Sequence, residues 1–393
     1  MTAGTSLLRT PGMPALVAVS LATFSGYAAL LAVAPAWAVS GGATEAGAGL
    51  VNGVLLAATV ATQLCVPRLL RRFGTTSVLT SSLVLLGVAA PGYALSDALG
   101  PVLVWSAVRG MGFGVVTVLG STIVTHLVPP QRRGEAIGVY GLAVATPMVL
   151  LLPVSVAVAD RLGYGWVFAV ASLPLLGLPW GVRLGRLVDR TASASALGAG
   201  EEPRLTDLDT VRVVLRPTLV LFVVTMAAGA LMTFAPQLGF DELWAAAALL
   251  LVGLTSALAR WLVGRVADRR GPEGFVVPML VAGAAGIGLC VLALVEDRPW
   301  LLLVGALVVG VPYGALQNLT LLIAFARVPS AGIPTASAVW NIGFDAGTAT
   351  GSVVVGALAA ARSFASAFGV VLALLLAAML VAPRSGRRPT VVP

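Results

Sequence analysis

The chain has 393 residues, 58% hydrophobic and 10% charged, with a mean hydropathy of +0.99, whereas a soluble domain holds about 25% charged residues. No water-soluble fold can hide that much apolar surface, so the bilayer is the expected solvent. The formal net charge of +8 comes from 24 basic residues, all of them arginine; their placement in short breaks between apolar runs is a topology signal and excludes a nucleic-acid partner.

In chain order the apolar runs cover 13–39, 47–66, 76–95, 101–127, 136–159, 165–182, 217–236, 243–263, 275–294, 300–326, 335–360 and 365–382. A hydrocarbon layer about 30 Å thick takes about 20 residues of helix, and continuous runs select helices over the ten-residue alternation of a barrel. The expected fold class is therefore an all-α polytopic membrane protein with 12 transmembrane helices. The first run is too long for the core of a signal peptide and no cleavage site follows it, so it reads as the first span. Residues 1–182 form an N-terminal six-helix bundle, 183–216 a cytoplasmic linker, 217–382 a C-terminal six-helix bundle and 383–393 a cytoplasmic tail. Within the linker, the low-complexity run TASASALGAG and the mixed-charge EEPRLTDLD favour a mobile connection.

With a cytoplasmic N-terminus, 19 arginines fall on the cytoplasmic side, among them Arg9, Arg68, Arg71, Arg72, Arg132, Arg133, Arg183, Arg265, Arg269, Arg270, Arg384, Arg387 and Arg388. Only Arg161, Arg298 and Arg362 fall opposite, so both termini are expected in the cytoplasm. Arg109 and Arg260 lie within or at the edge of helices. Total absence of lysine, with heavy use of Ala, Gly, Val, Leu and Arg, suggests a GC-rich bacterial genome and hence the bacterial cytoplasmic membrane. Cys65 and Cys290 fall in apolar runs and read as small hydrophobes. The sole histidine, His126, has no carboxylate or cysteine neighbours, so no metal is expected.

Two internal echoes divide the chain. Arg71-Arg72-Phe73-Gly74 is matched 197 residues later by Asp268-Arg269-Arg270-Gly271, and AIGVYG at 136–141 by ASAVWN at 336–341. The segment Arg260 to Gly271 (RWLVGRVADRRG) contains a core, GRVADRRG, that resembles the signature loop between paired helices of the major facilitator superfamily. There a glycine lets two helices approach, and an aspartate with arginines in the turn can latch neighbouring helices on the cytoplasmic face. Gly264, Asp268, Arg269 and Gly271 hold those positions. The N-terminal copy, PRLLRRFG, keeps Arg71, Arg72 and Gly74 but has Pro67 at the glycine position and Arg71 where the family carries aspartate, so that half lacks its own acid.

The resemblance extends to three spans. Arg109 to Gly114 (RGMGFG) is similar to the arginine-glycine motif of the fourth span, whose arginine the family links to proton coupling. Counted from Pro101 at 1.5 Å per residue, Arg109 lies about 12 Å into the membrane, where an ionised group needs water or a partner; packing beside Gly110, Gly112 and Gly114 is the other reading. EAIGVYGLAVATPMVLLLP, from Glu135 to Pro153, looks like the proline- and glycine-bearing fifth helix of drug and metabolite antiporters, with Leu152 replacing a glycine. NIGFDAGTATG, from Asn341 to Gly351, resembles the eleventh span of sugar-efflux and drug-efflux branches. Its Asp345 is the only carboxylate expected near the membrane centre, and a carboxyl poised between charged and neutral is the simplest proton carrier; the alternative is that it caps a polar cluster with Asn341 or pairs permanently with an arginine.

What the resemblance implies is two six-helix bundles rocking about a midplane site, with Asp345 and Arg109 as proton-coupling residues. Tyr27, Tyr140, Tyr313, Gln317, Asn318, Trp340 and Asn341 are the candidates for lining the substrate cavity, and Gly264, Asp268, Arg269, Gly271, Arg71, Arg72 and Gly74 form the cytoplasmic latch. The expected function is secondary active transport, as proton-coupled efflux of a small organic molecule such as a drug, antibiotic or natural product. Proton-coupled uptake or facilitated diffusion of a sugar or other metabolite is the alternative. The partners expected are that small molecule, a proton and the lipid bilayer, with the chain acting as a monomer. No His-Glu-x-x-His, nucleophile elbow or Walker loop occurs, so neither an enzyme nor a cofactor is expected.

Overall fold

The computed structural model describes residues 7–198 and 205–383. Ala199, Gly200, the acidic pair Glu201-Glu202 and the tail arginines Arg384, Arg387 and Arg388 lie outside the described residues. Helix α1 is Met13–Ser40. The next stretch, Glu45–Tyr93, has 49 residues, about 74 Å of helix and more than twice the hydrocarbon thickness. It turns at Gly74, whose φ of 73° and ψ of 169° are non-helical, giving α2 (45–73) and α3 (75–93). Then come α4 (Leu99–Leu127), α5 (Arg133–Leu162), and α6, built of three pieces, Tyr164–Ala171, Leu173–Leu176 and Leu178–Gly198. The second half follows as α7 (Asp207–Phe234), α8 (Glu242–Arg270), α9 (Val276–Val295), α10 (Pro299–Ala326), α11 (Ile333–Ala361) and α12 (Phe364–Val381). Among the described residues 11 stretches are long and apolar enough to span a membrane, and the one from Gly47 to Tyr93 contains the Gly74 turn. Its two arms bring the spans to the twelve expected.

The chain parts into two compact units, Met1–Asp207 with Pro329–Ile342, and Leu208–Val328 with Gly343–Pro393. Helix α11 thus begins in the first unit and ends in the second. Its start is held in the first by hydroxyls: Ser337 Oγ donates to the Val118 carbonyl at 2.9 Å and lies 2.6 Å from Ser121 Oγ. The first unit's core gathers Leu30, Val33, Tyr93 and Phe168, and the second's gathers Ile287, Leu302, Phe368 and Leu375.

Within each unit the same local geometry recurs. In α4, Gly110 and Gly114 lie so close to the Leu55 and Thr59 carbonyls of α2 that any Cβ would collide with them. In α10, Gly310 and Gly314 press the same way on the Val252 and Ser256 carbonyls of α8. Small residues are what let helices pack at such range in lipid, where packing replaces the hydrophobic drive. The α4 and α10 positions are 200 residues apart and the α2 and α8 positions 197, the spacing that also relates Gly74 to Gly271. Gly271 turns the chain after α8 with φ 82° and ψ 148°, a left-handed φ that a side chain would strain. The second echo also has a counterpart in three dimensions: one-turn 3-10 helices, Pro130–Arg132 and Ser330–Gly332, introduce α5 and α11.

Helix α8 displays the solvent it was made for. Leu250, Leu254, Leu258 and Leu262 form an outward ridge, each between 46% and 54% exposed, while Ala248, Val252, Ser256 and Gly264 are buried on the opposite side. Water would penalise that ridge and hydrocarbon would not.

The stretch read as linker is more structured than its composition suggests, because α6 runs to Gly198 and α7 begins at Asp207. The extension of α6 is amphipathic: Leu184 and Val188 are buried, and Arg183, Arg186 and Arg190 point outward. Asp189 locks it to the start of α3, its carboxylate accepting from Thr75 N (2.8 Å), Thr76 N (3.0 Å) and Thr76 Oγ1 (2.6 Å). It supplies the N-cap that a helix start requires.

Candidate functional site

In the second unit a polar cluster forms where α8, α10 and α11 approach. Arg260 falls on the buried stripe of α8, four residues beyond Ser256, and its Nη1 donates to Gln317 Oε1 at 2.8 Å. The Arg260 carbonyl accepts from Asn318 Nδ2 at 2.9 Å. Tyr313, one turn before Gln317 on α10, lies beside Gln317 and within reach of the charges of both Arg260 and Asp345. Its ring stacks on Phe344 at 6.3 Å between centroids. Asp345 is half-buried on α11, so cation, phenol, amide and carboxyl share one neighbourhood among apolar helices. Such a group can hold a proton and register its loss, because in a low-dielectric setting each charge strongly biases the others.

The first unit holds a cation of a different kind. Arg109 on α4 is 1% exposed. Its Nη2 donates to the Tyr27 carbonyl at 2.6 Å, and its guanidinium sits 5.1 Å from the centre of the Tyr27 ring, a cation–π distance. Tyr27 stacks in turn on Phe113, with centroids 3.9 Å apart and planes 8° from parallel, and Phe24 meets Phe113 edge-on at 5.5 Å. Nε and Nη1 of Arg109 are buried and make no hydrogen bond among the described residues. Leaving such donors without an acceptor is expensive.

The remaining candidates divide. Asn341 donates from Nδ2 to the Ser337 carbonyl at 2.8 Å, joining the hydroxyl ladder that secures the start of α11. Tyr140 is buried with its hydroxyl end against Gly120 of α4, a packing contact, and Trp340 is buried. The stripe of Gly343, Gly347 and Gly351 meets Thr218, Phe222 and Met226 of α7, which is close helix packing. In the loop after α8, Gly264 is buried, Asp268 half-buried and Arg269 exposed. In the first half Arg71 pairs with Asp207 at 3.3 Å, which also accepts from Thr335 Oγ1 at 2.9 Å, and Arg72 lies over Phe73. The acids missing from PRLLRRFG thus come from α6 and α7, as Asp189 and Asp207.

Two side chains with specific polar partners escape a motif-based reading. Arg260 opens the segment that carries the loop signature, and its own position was overshadowed by it. A signal was available: the four-residue stripe Ala248, Val252, Ser256, Arg260, Gly264 runs opposite the leucine ridge, so the arginine had to face protein. Asp189 carried no such signal, since its role depends on Thr75 and Thr76, over a hundred residues earlier.

Glycine-packed helix pairs repeated at 197- and 200-residue offsets, with an outward leucine ridge on α8, define a polytopic membrane protein made of two related halves. The chain matches the Major Facilitator Superfamily over residues 15–341, and it belongs to that family, whose members are transporters rather than enzymes. Among solved structures it is similar to the human organic anion transporter MFSD10, with a TM-score of 0.76 and 16% identity over 97% of this chain and 100% of that one. It is also similar to the proton:xylose symporter XylE, with a TM-score of 0.73 and 14% identity over 94% of each. At such identities the likeness concerns the fold alone. By sequence it is 32% identical over 121 residues to an MFS-type transporter of Mycobacterium tuberculosis, covering 30% of this chain and 21% of that protein. It is 27% identical over 86 residues to Multidrug resistance protein 3 of Bacillus subtilis, covering 22% and 16%. These matches thus span about a fifth of the length of those relatives.

Proposed function

We propose that the protein is a secondary transporter that expels a small organic molecule in exchange for protons by alternating access, working as a monomer in the bacterial cytoplasmic membrane with both termini in the cytoplasm. The observation that carries this reading is the cluster of Arg260, Tyr313, Gln317 and Asp345, a titratable group set among lipid-facing helices. Asp345 carries the proton. Arg260, whose charge reaches the same tyrosine, tunes it, a role that the fourth-span motif alone would have given to Arg109. Arg109 instead offers Nε and Nη1 to an acceptor group on the cargo, with the stacked rings of Tyr27 and Phe113 beside it. One proton moving inward supplies about 1.4 kcal/mol per pH unit and about 2.3 kcal/mol per 100 mV, enough to sustain a steep cargo gradient.

An outward direction is supported by the sparsely polar interior, since a sugar needs many amide and carboxyl partners, and by the partial match to a multidrug resistance protein. The test uses proteoliposomes with an imposed pH gradient and a panel of amphipathic cations and anions. Asp345→Asn should abolish gradient-driven accumulation, a fall of at least tenfold, while leaving downhill exchange. Unchanged pH-driven transport by Asp345→Asn would remove the proton assignment. Accumulation only in vesicles of the opposite orientation would replace efflux with uptake.

A further inference from the structure

At the end of the first unit, outside the polar clusters described above, the segment before α1 and the extension of α6 border an open cavity of about 610 Å³. Four arginines line it: Arg9 from the segment before α1, and Arg183, Arg186 and Arg190 from α6. None of the four has an ion pair or hydrogen bond to a carboxylate among the described residues. The acid nearest in sequence, Asp189, has its carboxylate committed to Thr75 and Thr76. A loop that served only to set topology would need the charges but not a cavity, nor a wall held at fixed distance. Here the wall is held: Gly12, at φ 88°, packs so tightly on Leu127 and Leu187 that a Cβ would sit 2.6 and 2.7 Å from their methyl carbons.

The face that carries the arginines continues into hydrocarbon. Along α6, Leu176, Trp180, Arg183, Leu187 and Arg190 follow at steps of four, three, four and three residues, the spacing of one helix face. Leu176 is 67% and Trp180 44% exposed, and both belong to the part of α6 able to span the membrane. A tryptophan where an exposed apolar helix face gives way to arginines is the residue type enriched at the membrane interface. The site therefore offers guanidinium forks at one end and an open apolar track at the other. Arginine forks match phosphate oxygens bidentately. A free phosphate ester would use the first feature and not the second.

We propose that this cavity binds the phosphate headgroup of an anionic phospholipid, with an acyl chain lying along Trp180 and Leu176. In the proposed orientation the lipid belongs to the cytoplasmic leaflet, so the site would fasten α1 and α6, the first and last helices of the N-terminal half, to the membrane surface. Basic pockets at that face suit anionic headgroups, each arginine contributing attraction that adds to the next.

The test is native mass spectrometry of the full chain in detergent, titrated with phosphatidylglycerol, with phosphatidylcholine of the same acyl chains, and with glycerol phosphate. The site predicts tight retention of phosphatidylglycerol only. Arg183→Gln/Arg186→Gln/Arg190→Gln should weaken it on the order of 100-fold. Ala15→Trp, which fills the cavity while keeping every arginine, should weaken it at least tenfold in protein of unchanged helicity and elution volume. Arg68→Gln/Arg216→Gln/Arg327→Gln, an equal loss of charge elsewhere, should leave it intact. Equal retention of phosphatidylcholine, or wild-type retention by the triple variant or by Ala15→Trp, overturns the proposal. Displacement of phosphatidylglycerol by millimolar glycerol phosphate overturns the lipid assignment in favour of a soluble phosphate ester.

Discussion

Arg109 and Arg260 occupy opposite halves of a repeated fold and live under opposite rules. Arg260 is half-buried and sits in polar company, donating to Gln317 and lying near Tyr313, which Asp345 also approaches. Arg109 is almost wholly buried, lies against an aromatic stack and, among the described residues, gives a single hydrogen bond, to a backbone carbonyl. The two halves share a helix-packing scheme, with α4 set on α2 and α10 on α8 through paired glycines, yet their chemistry has diverged. One half carries a group that can change its charge, and the other a cation that cannot. A permanent charge with idle donors suits recognition of an acceptor, whereas a titratable carboxyl beside a cation suits exchange of a proton.

Removing each cation in turn separates these roles. The larger effect is expected for Arg260→Leu, which strips Asp345 of its neighbouring positive charge and Gln317 of its donor. It should lower unfolding free energy by about 3 kcal/mol, read as a lower midpoint in thermal unfolding of the detergent-solubilised protein. Asp345→Asn introduced beside it should restore most of that loss, since a neutral amide needs no counter-charge. Independent, additive effects of the two substitutions would dissolve the cluster as a unit. For Arg109→Leu the sign reverses: exchanging a buried charge with idle donors for an apolar side chain should leave stability level or raise it by about 1 kcal/mol, while transport falls. A destabilised Arg109→Leu protein would mean that the arginine props up the fold rather than serving the cargo. The smallest effect belongs to the loop at Gly74. Arg71→Gln breaks an exposed pair whose partners are each 55% accessible and should cost less than about 0.5 kcal/mol, measurable against Asp189→Ala, where loss of the cap should cost about 1 kcal/mol.

The C-terminal loop signature was legible because GRVADRRG is contiguous. Its N-terminal counterpart was legible only as a defect, an arginine where an acid belongs, since Asp189 and Asp207 reach the same loop from distant sequence. Asp345 stood out by being a lone carboxylate in an apolar run. Arg260 was hidden in plain view by the motif that follows it. Tyr140 lies with its ring against Gly120, a neighbour that depends on which helix lies opposite.

Composition and the spacing of apolar runs determined, by themselves, that this chain is a helical membrane protein of about twelve spans, because lipid leaves the backbone no other way to satisfy its hydrogen bonds over such lengths. The glycine turns and the half-chain repeat were likewise written in order along the chain. The tertiary structure alone decided which polar groups meet: Arg260 with Gln317, Arg109 with the Tyr27 carbonyl, Asp189 with Thr75 and Thr76. Those pairings join residues 57 to 114 positions apart, and a buried charge takes its meaning from the partner that folding brings to it.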